Sequence, residues 1–188
     1  MKVAVAKAAA KVGFYHIDAD AVAKKCTEKG SPLLECIEEA FEGTVIDGEL
    51  SREKLAKAAF SSPEETQKMN EIMLPFIVGE IEKIIKEVKK EGENFILLDA
   101  PTLFESGADR LCDVTAAVLS DKETLLKRIM ARDSISKSAA LLRINAGKPD
   151  QYYSERCDYI IRGKGEIEEF SSAAENFFSK IKKEGAEK

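Results

Sequence analysis

Carboxylates and arginines follow three β-prone runs in this chain, and grouped together they suit phosphate chemistry. The first group is Ile17-Asp18-Ala19-Asp20, and the second is Leu98-Asp99-Ala100-Pro101-Thr102-Leu103-Phe104-Glu105. The third is basic and follows the run 114–119. In it Arg128 and Arg132 are four residues apart, so on a helix both can face one direction. Their planar forks match phosphate oxygens. Taken singly, each signal is ordinary. An acidic residue after a strand is commonly a helix cap or turn former, and a helical arginine pair is commonly a solvated face. Ligands of open parallel sheets sit beyond the carboxyl ends of the strands. Carboxylates and arginines converging on one such edge suit phosphoryl transfer, where positioning and charge stabilisation supply most of the catalysis.

The elements that must position these groups can be read from pattern. Ala4 to Val12 is an Ala-rich helix ended by Gly13, and Met1-Lys2-Val3 reads as the start of a strand. Phe14 to Ile17 is a short β-prone run, with a helix from Ala21 to about Glu28. Ser31-Pro32 opens another helix, Ser as N-cap and Pro at the first helical position. Asp47-Gly48 is a turn. Residues 51–91 are helical, with a capping box at Ser62-Pro63-Glu64-Glu65 and an interruption expected at Pro75. Beyond Pro75, Ile77, Ile81, Ile84, Ile85 and Val88 share one face, and Gly92 closes the element.

The pattern then changes. Phe95 to Leu98 and Val114 to Leu119 are continuous apolar runs, the mark of parallel strands covered on both faces. A capped helix starts at Ser120, another lies around Lys137 to Ala146, and Asp158 to Ile161 reads as a last strand. The tail 166–183 is amphipathic, with Ile167, Phe170, Ala174, Phe177 and Ile181 on one side. Buried strands alternating with helices give an α/β fold with a parallel sheet. The helical stretch of about 30–91 is too long for a simple crossover and reads as an insertion.

Composition narrows the partners. At 188 residues the chain is expected to be one domain with an independent core. Apolar residues make up 44%, which argues against disorder. Acidic residues outnumber basic ones 34 to 29, for a net charge of -5, which gives no basic footprint for nucleic acid. Any anionic substrate must then be held by a local group of Arg and Lys. Cys26, Cys36, Cys112 and Cys157 form no C-x-x-C pair and read as reduced, mostly packed thiols. No charged-then-apolar leader and no apolar run near 18 residues is seen, so a soluble, cytoplasmic protein without membrane partners is expected.

Several segments together resemble the dephospho-coenzyme A kinase family. The run Phe14-Tyr15-His16-Ile17-Asp18-Ala19-Asp20-Ala21-Val22-Ala23 is similar to that family's strand, Asp-Ala-Asp and helix. Asp99-Ala100-Pro101-Thr102-Leu103-Phe104-Glu105 is similar to its Asp-x-Pro-Leu-Leu-Phe-Glu signature, with Thr102 in place of a Leu. Lys127-Arg128-Ile129-Met130-Ala131-Arg132-Asp133 resembles its lid, and Leu142-Arg143-Ile144 follows at the family's spacing. Gly30-Ser31-Pro32 and the turn around Asp47-Gly48 also fit.

The resemblance implies a three-layer α/β P-loop kinase with a parallel sheet, a helical acceptor-binding insertion at about 30–91 and a small lid at about 126–150. It implies transfer of the γ-phosphoryl group of MgATP to the ribose 3'-hydroxyl of dephospho-CoA, the last step of coenzyme A synthesis. Carried over by position, Asp20 is the catalytic carboxylate and Asp18 stands beside it at the substrate edge. Asp99 helps arrange magnesium through its waters. Pro101, Leu103, Phe104 and Glu105 shape the acceptor cleft. Arg132, with Arg128 and Arg143, neutralises the ATP phosphates.

The chain also departs from that pattern. A P-loop kinase carries a strand followed by G-x-x-x-x-G-K-[ST], and the resemblance places this between Val3 and Ala4, where it is absent. Leu74 stands before Pro75 where the family has His, Gly147 replaces an expected Gln, and the adenine loop is reduced to Arg162-Gly163-Lys164-Gly165. His16, the sole histidine, reads as structural or surface. Two other readings therefore stand beside the kinase: a module that binds CoA-like ligands without phosphoryl transfer, and a related nucleotide kinase.

Overall fold

A computed structural model describes residues 2–163 and 167–186. The Lys164 and Gly165 positions of the shortened adenine loop, and with them the Gly163-Lys164 step, lie outside the described residues. The chain divides into two compact units, one of residues 15–111 and one of residues 1–14 with 112–188.

In the unit 15–111, strand β1 (Tyr15–Asp18) leads into α2 (Ala19–Cys26) and α3 (Leu33–Ala40). A hairpin of β2 (Val45–Ile46) and β3 (Glu49–Leu50) follows, then α4 (Arg52–Ala59), the long α5 (Pro63–Lys90) and β4 (Ile96–Asp99). β1 and β4 run parallel in register Tyr15↔Ile96 to Asp18↔Asp99. Asp47 and Gly48, both at positive φ (52° and 76°), close the hairpin as its sequence predicts. The core is Ile17, Val22, Leu33, Ile37, Phe41, Leu55, Ile77 and Ile81, with Ile96 and Leu98 packed against it.

Helix caps account for most boundaries here. Asp18 caps α2 by accepting the Asp20 amide at 3.0 Å. The Ser31 side chain accepts from the Leu33 amide and its carbonyl from Leu34, so Ser31 acts as the expected cap although the helix is assigned from Leu33. Ser62 accepts from the Glu65 amide at 3.3 Å, and a hydrogen bond with Ser62 holds the Glu64 carboxyl below its ordinary value.

Pro75 does not interrupt α5, which runs unbroken for 28 residues. A proline removes one backbone donor and crowds the preceding turn. Burial of Ile77, Val78, Ile81 and Val88 along the same helix outweighs that cost. Gly92, at φ 95°, then ends the element. The strand 96–99 also differs from expectation, because all four of its residues are half-buried rather than covered on both faces.

Glu38 organises the chain after α3. Its two carboxylate oxygens accept the amides of Gly43 (2.7 Å) and Val45 (2.6 Å), which lowers its pKa. Because the folded value is depressed, the stabilisation is present above the ordinary carboxylate range and is lost as pH falls through the folded value. Glu38→Gln is therefore expected to melt earlier than wild type at neutral pH, and the gap is expected to close in acid. Thermal melts across pH check this, and a gap independent of pH would remove the ionised carboxylate from the account.

The second unit begins with α1 (Lys2–Lys11) and continues from residue 112 through β5 (Ala116–Leu119), α6 (Lys122–Asp133), α7 (Lys137–Ala146), α8 (Asp150–Ser154), β6 (Tyr159–Arg162) and α9 (Ile167–Ala186). Lys2 and Val3 are helical, so the expected strand start at that end is corrected: the alanine-rich propensity extends upstream through them. Phe170, Ala174 and Phe178 of α9 are buried, as are Ala8 and Ala9 of α1. Phe178 stacks on Phe14 at 5.1 Å between ring centroids, and Lys182 donates to the Val12 carbonyl. On this face Phe178 takes the place given to Phe177, which is only half-buried. β5 and β6 run parallel from Ala116↔Tyr159 to Leu119↔Arg162. The cap of α6 is Asp121, not Ser120, through its bond from the Thr124 amide. Ser136 caps α7.

A candidate phosphoryl-transfer site

The alternation of β1 and β4 divides their residues by face. Ile17, Ile96 and Leu98 turn into the core. His16, Asp18, Leu97 and Asp99 therefore share the opposite face. Asp18 and Asp99 are register partners at the carboxyl ends of two parallel strands, which is where such sheets place ligands. Asp20 is exposed in the first turn of α2, where the partial positive charge of the helix end favours a carboxylate. Part of Asp18 serves as the cap of that helix, the ordinary use of such a residue.

The segment after Asp99 is a loop folded on its own hydrogen bonds. The Ser106 amide donates to Thr102 O, the Ala108 amide to Leu103 O, and the Ser106 hydroxyl to Leu103 O. Gly107 takes φ 69° to complete it. Pro101 and Glu105 are exposed on this loop and Leu103 and Phe104 are half-buried. All four thus stand on one preorganised segment following the strand that ends in Asp99.

His16, read from sequence as structural or surface, lies beside the acids. Its Nε2 is 3.7 Å from Asp99 Oδ2, beyond hydrogen-bond range. That nitrogen is buried and has no hydrogen-bond partner among the described residues. The signal was available: His16 is two residues before Asp18, hence on the same face.

The arginines belong to the other unit. Arg128 donates to the Ser120 hydroxyl, just past β5, at 3.4 Å. Arg132 and Arg143, from successive helices, meet on one carboxylate, that of Asp133. Arg128 and Arg132 thus have different partners despite their helical spacing. Asp133 was not singled out from sequence, because an acid next to an arginine is common on helices; only its bond to Arg143, ten residues on, distinguishes it. The four cysteines are free thiols; Cys26 is buried, which raises its pKa, and Cys36 is exposed.

Paired carboxylates at the ends of parallel strands in one unit, and arginines grouped on one carboxylate in the other, are each chemistry suited to a phosphate-handling α/β protein. Comparison with known proteins narrows this. The family model for dephospho-CoA kinase matches residues 1–169. Dephospho-CoA kinase of Clostridium tetani is 37% identical over 183 residues, covering 96% of this chain and 81% of that one. The Leptospira interrogans enzyme is 31% identical over 173 residues, covering 91% and 83%. Among solved structures, dephospho-CoA kinase from Campylobacter jejuni superposes with a TM-score of 0.71 at 26% identity, covering 97% of this chain and 92% of that one. TT1252 from Thermus thermophilus gives 0.75 at 25% identity, covering 96% and 91%. The chain belongs to the dephospho-CoA kinase family, ATP-using transferases of coenzyme A synthesis.

Proposed function

We propose that this chain transfers the γ-phosphoryl group of MgATP to the ribose 3'-hydroxyl of dephospho-CoA, with Asp20 as the residue that takes the hydroxyl proton. The observation that carries the residue assignment is the juxtaposition of Asp18 and Asp99 at paired strand ends, with Asp20 two residues past Asp18 on the next helix. As the 3'-oxygen bonds to phosphorus, its proton passes to Asp20 and the bridging P–O bond breaks, leaving its electrons on ADP. Asp18, engaged in capping α2, fixes where Asp20 stands. Pro101, Leu103, Phe104 and Glu105 form the acceptor wall on their self-bonded loop. We assign residues 30–91 to the acceptor-binding insertion and 126–150 to the lid.

Asp99 beside Asp18 offers hard carboxylate oxygens, a donor set that fits Mg2+, an ion usually held by one or two carboxylates, waters and substrate phosphates. Asp99 is assigned a role toward that ion through its waters. A magnesium ion held there would supply neutralisation of the charge that develops on the transferred phosphoryl group. A cytoplasmic setting agrees with the four free thiols, and no helix of the described residues is long and apolar enough to cross a membrane. The acidic net charge argues against nucleic acid as a partner. An acceptor panel assayed with ATP, with the product mapped by mass spectrometry, tests the function. Phosphate on the 3'-oxygen of dephospho-CoA is expected, and preferential phosphorylation of a nucleoside or nucleotide would overturn it.

Arg132, Arg128 and Arg143 are the proposed phosphate ligands. Arg132→Ala is expected to lower kcat/KM for ATP about a hundredfold, as loss of a single charge-stabilising donor does. Dephospho-CoA binding is expected to change little. Steady-state kinetics with each substrate varied check this split, and unchanged ATP kinetics would take Arg132 out of the site.

A further inference from the structure

Asp133, the last residue of α6, has no part in the reading above, yet it joins two of the three arginines. Its carboxylate accepts Nε (2.6 Å) and Nη2 (2.9 Å) of Arg132, and also Nη1 of Arg143 on α7. The turn that allows this is tight. Ser134 holds φ 52°, a left-handed conformation that a non-glycine residue keeps only where its surroundings impose it. Ser136 then starts α7 at once by capping the Ala139 amide.

Exposure separates the acid from the bases. The Asp133 side chain is 18% exposed, against 74% for Arg132 and 56% for Arg143. The carboxylate thus lies beneath two guanidiniums that remain open to solvent. Each guanidinium has five donors, and Asp133 takes two from Arg132 and one from Arg143. The remaining donors are available to an anion. The two arginines also keep Asp133 ionised by lowering its pKa.

We propose that Asp133 is a positioning residue: it brackets Arg132 and Arg143, from successive helices, into one preformed site that grips the polyphosphate of the donor nucleotide. This rests on the reading of those arginines as phosphate ligands. Long exposed side chains lose rotamer freedom when they bind, and holding them beforehand removes part of that cost. A contrary role is also definable, with Asp133 as a competitor that phosphate must displace. The two roles predict opposite signs. Removing a negative charge by itself tightens anion binding, so weaker binding after Asp133→Asn cannot come from charge alone.

The test titrates inorganic tripolyphosphate into the 188-residue chain and follows the arginine Nε–H NMR signals. Asp133→Asn is expected to weaken tripolyphosphate binding about tenfold, the size of effect that two newly mobile side chains produce. Arg132→Ala and Arg143→Ala are expected to weaken it as well. In a chain carrying both alanines, adding Asp133→Asn is expected to do nothing more, because Asp133 acts only through those two residues. Unchanged or tighter binding in Asp133→Asn, with the alanine variants weakened, overturns the proposal alone. No weakening in either alanine variant overturns the phosphate reading of the arginines, and this inference with it. Asp133→Glu keeps the charge but moves the carboxylate by one methylene; it carries the same expected direction and covers an Asn variant that fails to fold.

Discussion

Asp20→Asn is expected to lower kcat by about 10^2 to 10^4-fold, the range that a positioned general base contributes. The amide matches the carboxylate in size but does not take up a proton at neutral pH. The fold is expected to hold, because Asp20 is exposed and the cap of α2 belongs to Asp18. The substitution removes the interaction of a charge with the helix end, typically about 0.3–1 kcal/mol. The melting temperature and the dissociation constant for dephospho-CoA should therefore stay near wild type while turnover collapses. Asp18 supplies the control. Asn also caps helices well, so Asp18→Asn keeps α2 intact, whereas Asp18→Ala is expected to destabilise the protein by about 1 kcal/mol. Wild-type turnover in Asp20→Asn would sink the assignment of the proton to this residue.

Much of this arrangement is legible in local chemistry. The hairpin at Asp47-Gly48 and the ends at Gly13 and Gly92 follow from backbones that glycine tolerates, and all three glycines hold positive φ. The helix expected around Lys137 to Ala146 is found there. What could not be read there depends on contacts between distant residues. Pro75 marks a helix break by local rules, and only the buried face of α5 shows why the helix continues. The half-burial of Ile96 to Asp99 likewise reflects what covers the strand, which a run of apolar letters cannot report. In the site, Asp18, Asp20 and Asp99 stand out because a strand end is a local feature. Asp133 does not, since its meaning lies in a hydrogen bond to the next helix.

The step from that site to turnover passes through the phosphate cradle, and here the largest effect is expected. The 188 residues hold no G-x-x-x-x-G-K-[ST]; Gly147-Lys148 and Gly163-Lys164 lack the upstream glycine. Such a loop precedes a helix N-terminus, and the family resemblance places it between Val3 and Ala4, in the stretch that α1 occupies in the 188-residue chain. A chain carrying the rest of a strand and this loop between Val3 and Ala4 is expected to exceed the 188-residue chain in kcat/KM for ATP by at least about a thousandfold. A single donor to developing charge is worth about 10^2 to 10^3, and the loop brings several amides and a lysine. A rise in melting temperature should accompany the gain. Among the described residues, β1 pairs only with β4 and β5 only with β6, and parallel strands are ordinarily found in larger, covered sheets. The two effects separate cleanly: replacing the loop lysine with alanine should keep the gain in stability and lose most of the gain in rate. Equal turnover with and without the loop would mean that the arginines gathered around Asp133 suffice to hold the phosphates, and that the cradle is dispensable in this chain.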